Sequence, residues 1–368
     1  MLMAFFILLL NFIFHKKAMK IKHISQFKDN IDEKLFGLTP ESDVIYAYEL
    51  TNKNGYQLHV MNYGATITSL KIPLKNGEML DVVLGFCSLE DYLRSFNLES
   101  APYFGATIGR FAGRIKNGIF KLNNTAFQLN KNKNNHSLHG GKIGFSQKVW
   151  EFKNSNSGKN PSVTLTCFSP HGDENFPGDL TVEVTYTLSD ENELIVEYSA
   201  RTTEDTIVNL THHSYFNLEG HDSSIVEQEL FINSRKTLET TSENIPTGSF
   251  LNLANCPFDF NVPKKCPLKI DNTFVLDKET HLAASLYSKK NNLKMEVYTN
   301  QPAVHIYVGG NCFDKIKGKG NANYHPLSGI CFETQNFPDA PNHEHFPSSE
   351  LQKESTYYHK TTYKFQLF

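Results

Sequence analysis

The sequence predicts an all-β fold, a large antiparallel β-sandwich, on three observations. Residues 180–188 (LTVEVTYTL) are apolar at every even position and polar at every odd one. That period of two sets one strand face on a core and the other in water. The 28 Phe and 16 Tyr add an aromatic weighting that suits pleated, half-buried surfaces. No long stretch carries a helical period, so strands are not interleaved with helices and must pair antiparallel.

Taken in chain order, residues 1–14 (MLMAFFILLLNFIF) are apolar except for Asn11, and His15, Lys16 and Lys17 follow. The run falls short of the about 17–25 residues of a membrane span. It lacks the basic n-region and small-residue cleavage site of a signal peptide. Met19 opens MKIKHISQF, an ordinary cytosolic start. Residues 1–18 are therefore expected outside the fold and residues 19–368 as a single domain. The expected location is the cytoplasm, with secretory targeting left open by the apolar leader. Strand patterns follow at residues 59–72, 163–168, 180–188, 193–200, 229–232 and 294–298, with a short helix expected near Ser88–Ser95. Turn-forming clusters such as Asn154–Gly158 and Pro170–Asp173 separate them. Two charged stretches, residues 130–135 and 315–323 (KIKGKGNAN), read as solvated surface loops. Neither a linker nor an internal repeat divides the chain.

Composition excludes several classes. With 36 Lys+Arg against 39 Asp+Glu and no basic block, the chain lacks the positive footprint that nucleic acid requires. The six cysteines form no C-x-x-C pair, so free thiols in a reducing compartment are expected rather than a zinc or redox site. No glycine-rich phosphate loop leads from a strand into a helix, which argues against a dinucleotide. His139, His212 and His213 do not make a zinc site either, because adjacent strand residues face opposite sides. No cofactor and no metal are expected, and no stable membrane partner.

Four segments carry the chemistry: Gly109–Ile115 (GRFAGRI), Leu138–Gly141 (LHGG), Asn209–Leu218 (NLTHHSYFNL) and Glu333–Ala340 (ETQNFPDA). A histidine on one strand and a glutamate on another can supply an acid and a base to one substrate. Alternation places Cys331, Glu333 and Gln335 on one face and Ile330 and Phe332 on the other. Together, and in this order, the four segments resemble the aldose 1-epimerase (galactose mutarotase) family over roughly residues 45–365.

That resemblance implies a galactose mutarotase-like supersandwich, one distorted β-sandwich with a sugar in a cleft across one sheet. It implies cofactor-free interconversion of the α and β anomers of galactose or glucose, a small-molecule aldohexose partner, and a monomer or homodimer. By matching segments, Glu333 is the expected base and His213 the expected acid. Arg114, His139, Asp271 (in IDNTF) and Gln301 (in TNQPA) are the expected sugar contacts. Arg114 is preferred to Arg110 because the family pattern G-R-x-A-N-R-I assigns the contact to its second arginine. Two residues depart from the family: Gly113 stands where an asparagine is usual, and His212 stands where another is. The first departure predicts a missing hydroxyl contact. The second reads as a surface or structural histidine, or as a positive neighbour that lowers the acid's pKa. Gly309-Gly310 lengthens a further family loop, so Asn311 is left out of the site. Two alternatives stay open: a hexose-6-phosphate 1-epimerase, which needs cationic residues near the sugar's C6, and a non-catalytic sugar-binding protein.

Overall fold

The computed structural model describes residues 31–254, 256–277, 280–309 and 315–368. The expectations for residues 1–18, Asn311 and Cys312 lie outside the described residues. Among the described residues, one α-helix occurs, Leu89–Ser95, capped by the Ser88 side chain accepting from the Asp91 N–H. Everything else that is regular is strand or single-turn 3-10 helix. No helix among these residues is long and apolar enough to cross a membrane.

Three antiparallel sheets dominate. A nine-stranded sheet runs in the order Glu151–Asn156, Ser162–Ser169, Leu180–Leu188, Glu193–Thr202, Tyr357–Leu367, Leu293–Thr299, Leu282–Ser288, Glu229–Ile232, Lys264–Lys265. A six-stranded sheet has the order Tyr215–Phe216, Ile330–Gln335, Ala303–Val308, Ile270–Val275, Lys236–Thr240, Pro246–Asn252. A five-stranded meander, residues 32–81, completes the set. The expected run at residues 59–72 is a hairpin, Gln57–Met61 paired with Thr66–Pro73.

The main core lies between the nine-stranded and six-stranded sheets. Val182, Val184, Tyr186 and Tyr198 from one share a buried cluster with Phe274, Ile306, Ile330 and Phe332 from the other. Tyr363 of the larger sheet donates its hydroxyl to the Phe332 carbonyl at 3.1 Å. Removing one of these buried aromatics would cost about 3–5 kcal/mol, through lost transfer energy and an unfilled cavity. Because even-numbered residues of Ala303–Val308 and Ile330–Gln335 point into this core, their odd-numbered residues point the other way. That outer face carries the polar side chains described next.

The charged stretch 315–323 is not simply solvated. Lys319 turns inward and donates to Asp81 Oδ2 at 2.7 Å and to the Thr68 carbonyl at 3.1 Å. A partly buried ammonium gains from such a partner, since losing water without one is costly. The described cysteines, Cys87, Cys167, Cys256, Cys266 and Cys331, are free thiols.

Candidate active site

A cleft of about 540 Å³ opens on the outer face of the six-stranded sheet. Its floor is a period-two pattern on three neighbouring strands: Asp271 and Thr273, His305 and Tyr307, Glu333 and Gln335. Loops supply the walls, with Arg114, His139, His213 and Tyr103 among the lining residues.

These loops are held by buried polar contacts. Leu138 pairs with Arg114 and Ser137 with Ile115, so the two expected sugar contacts Arg114 and His139 come from adjoining strand ends. The Asp339 N–H donates to the Arg114 carbonyl at 2.8 Å, and Asp339 Oδ1 accepts from the Lys116 N–H at 2.9 Å. Asn209, fully buried, donates to the Ala112 and Asn336 carbonyls and accepts from the Asn336 N–H at 2.8 Å. It therefore ties three of the four segments together. At Gly140 a Cβ would lie 1.9 Å from the Gly109 carbonyl oxygen, so only glycine lets this loop close on its neighbour.

Glu333 on the cleft floor meets His213 from the wall. His213 Nε2 lies 3.5 Å from Glu333 Oε1, with the residues 5% and 2% exposed. Burial pushes the His213 imidazole below its ordinary value, and the Glu333 carboxylate opposes that shift. The carboxylate favours the imidazolium, and the dry surroundings make it a ready donor.

His139 packs edge-on to His213, ring centroids 5.6 Å apart. Burial first, then His213 and Arg114, holds its imidazole well below the ordinary range. Its Nδ1 accepts a long bond, 3.3 Å, from the Gly113 N–H. A neutral imidazole accepting at Nδ1 carries its proton on Nε2, which makes His139 a hydrogen-bond donor. Donor atoms of His139, His213 and Glu333 lie within 4.8 Å of one another, the spacing a metal could use. The Gly113 contact argues against that use, because it occupies Nδ1 and leaves Nε2 protonated rather than open.

The rival residues separate clearly. Arg110 is buried and donates to Ser169 Oγ and to the carbonyls of Ser169, Pro170, Pro177 and Gly178. It is a structural brace, and burial lowers its guanidinium to about 10. His212 turns away from the cleft and packs against the Tyr186 ring. Burial drives it down to about 3, so it stays neutral at working pH. The expectations of a surface position and of a positive neighbour for the acid both give way; a buried structural histidine remains.

Gln301 is not brought to the cleft. It sits in the bend before Ala303–Val308, where its backbone N–H bonds Thr299 Oγ1 at 3.2 Å and its amide bonds Asn300 Oδ1 at 3.0 Å. Gln301 is not among the residues that line the cleft, and Ala303, two positions on, is buried in a separate cluster with Leu238 and Phe337. The strand instead presents His305, a residue sequence reasoning passed over. Its signal was available: counting in twos back from Tyr307 puts it on the polar face. Tyr103 was also missed; its ring meets His139 at 5.1 Å and His213 at 5.7 Å. Residues 130–135, read as a solvated loop, lie partly on the cleft rim, with Lys131, Asn132 and Lys133 lining it.

Gly113 lines the cleft with φ +79°, and a Cβ there would lie 2.9 Å from Cβ and Cγ of Pro338. The missing asparagine contact is therefore coupled to a close approach of the Glu333–Ala340 segment.

A β-supersandwich that gathers a buried carboxylate–imidazole pair and further polar side chains in one cleft fits the class of sugar isomerases. The aldose 1-epimerase family model matches residues 46–364, and the chain belongs to that family. It is 39% identical to human galactose mutarotase over 322 residues, covering 84% of this chain and 91% of that one. It is 35% identical to the aldose 1-epimerase of Haemophilus influenzae, covering 86% and 94%. Among solved structures, an aldose epimerase homologue from C. elegans superposes with a TM-score of 0.81 at 30% identity, covering 87% of this chain and 98% of that one.

Proposed function

We propose that the protein interconverts the α and β anomers of galactose and glucose, with Glu333 as base and His213 as acid. Glu333 takes the proton of the C1 hydroxyl while His213 gives one to the ring oxygen, and the C1–ring oxygen bond breaks to leave the open-chain aldehyde. Rotation about C1–C2 presents the other face of the carbonyl. The ring oxygen then adds back to C1, His213 recovers its proton, and Glu333 returns its own to the new C1 hydroxyl. Protons balance over the cycle, and no redox partner takes part. Arg114, His139 and Asp271 hold ring hydroxyls: the guanidinium and the Nε2–H donate, and the carboxylate accepts.

The observation that carries this reading is the buried Glu333–His213 contact of 3.5 Å on the cleft floor. The two oxygens that exchange protons sit on one carbon, so their acid and base must lie side by side. Polarimetry on freshly dissolved α-galactose and α-glucose tests it. Rotation that decays no faster with enzyme than without leaves a sugar-binding protein as the answer. The chain is read as one domain, a cytoplasmic monomer or homodimer; the free thiols among the described residues support the compartment.

A second reading is favoured by one observation. Lys131, Lys133 and Lys142 line the cleft mouth, cations that a hexose 6-phosphate would need. A faster rate on glucose 6-phosphate than on glucose, suppressed by salt, would select it.

A further inference from the structure

The cleft contains a second carboxylate–imidazole pair, whose imidazole the steps above leave unused. His305 Nε2 lies 3.0 Å from Asp271 Oδ1, and His305 Nδ1 lies 2.9 Å from Thr273 Oγ1. Asp271 Oδ2 accepts from Asn244 Nδ2 at 2.7 Å. Asp271 is thus clamped from both sides, and both imidazole nitrogens have partners that can accept. The strand register sets His305 directly opposite Glu333, and such cross-strand neighbours have Cβ atoms about 4.5–5.5 Å apart.

We propose that His305 is a positioning residue for the acid–base chemistry. Protonated, it clamps Asp271 in the orientation that holds the sugar, and its charge sets the pH window in which Glu333 and His213 act as base and acid. The inference rests on the reading of Glu333 and His213 as base and acid.

The surroundings support a charged His305. Burial works against the charge, but the bond to Asp271 and the field of Glu333 outweigh it, so the imidazole lies above its ordinary value. Asp271 is lowered in turn: its own burial opposes this, and His305 overcomes it. The groups that face the imidazole are Asp271 on one neighbouring strand, Glu333 on the other, and Arg114, His139 and His213 from the cleft walls. Arg114 disfavours the charge and the two carboxylates favour it.

A positive charge here makes His213 easier to deprotonate. Replacing it with a neutral amide leaves Asp271 uncompensated and should carry the whole pH–rate profile to higher pH. His305→Gln keeps a donor for Asp271 and so separates charge from packing.

The test is the pH dependence of kcat and KM for mutarotation in wild-type and His305→Gln protein, alongside an NMR titration of the imidazole nitrogens. In the wild type one imidazole should titrate above 6.5, disappear in His305→Gln and fall below 6.5 in Asp271→Asn. The His305→Gln profile should move up by about half a pH unit or more, with KM raised as Asp271 loosens. A uniform loss of rate with unmoved midpoints, or a His305 neutral above pH 6, overturns the proposal. If the wild type shows no mutarotation, the functional reading fails by itself; the His213 resonance, unmoved by His305→Gln, would then overturn the charge coupling separately.

Discussion

Replacing His212 by asparagine separates the two adjacent histidines by what each does. His212 is 3% exposed, lies against Tyr186 and has Ser214 Oγ 3.5 Å from its Nε2. Burial holds its folded-state pKa at about 3, against about 6.5 in an unfolded chain. The unfolded state therefore takes up a proton first as pH falls, and stability drains away from about pH 6.5 down towards 3. At pH 5 the deficit is about 1.5 pH units at 1.36 kcal/mol each, or about 2 kcal/mol. That is a large share of a typical total of about 5–15 kcal/mol. Asparagine carries no proton, so His212→Asn should lose about 2 kcal/mol less than wild type between pH 7.5 and pH 5. Its baseline stability at pH 7.5 changes by whatever packing is lost, which the difference between the two pH values removes. Urea melts at both pH values, with polarimetry at pH 7.5 to show kcat kept within a few-fold, decide the matter. An unchanged acid slope would refute the burial argument. A kcat loss as deep as that of His213→Asn would show that the wrong histidine has been assigned to the cleft.

Three further outcomes follow from the same geometry. Glu333→Gln should lower kcat by about 10²–10⁴-fold with near-UV circular dichroism intact, since it removes the base and the carboxylate that favours the His213 proton; a loss under tenfold would overturn the assignment. Gln301→Ala should leave KM for galactose within about twofold, as a change away from any tight contact costs no more than about 0.5 kcal/mol, and a tenfold rise would place Gln301 in the site after all. Gly113→Asn, which family resemblance suggests should restore a hydroxyl contact, meets Pro338 at 2.9 Å from a left-handed backbone and should lower the melting temperature by the equivalent of about 1–3 kcal/mol. Gly113→Ala isolates that steric share, and a lower KM for Gly113→Asn with no thermal cost would show that Pro338 yields freely.

What could be read from the chain and what could not divides along one physical line. Strand alternation is local, so residues 180–188 and 229–232 coincide with the strands found, and the shared face of Cys331, Glu333 and Gln335 follows from counting in twos. The cleft is non-local. Which of Gln301 and His305 reaches it depends on how Ala303–Val308 pairs with Ile330–Gln335, and that pairing is set by residues outside the strand. The same holds for charge: Lys319 and the lysines of residues 130–135 look alike in sequence, yet one is paired, partly buried, with Asp81 and the others line the cleft. Resemblance pointed to Glu333, His213, Arg114, His139 and Asp271, all of which line the cleft, because those residues sit in segments long enough to align. It was silent on His305, where the side chain's meaning comes only from the neighbours that the fold supplies. The titratable groups of this cleft are thus only partly visible to a pattern, and the pH behaviour of the reaction is the property on which the pattern and the structure differ most.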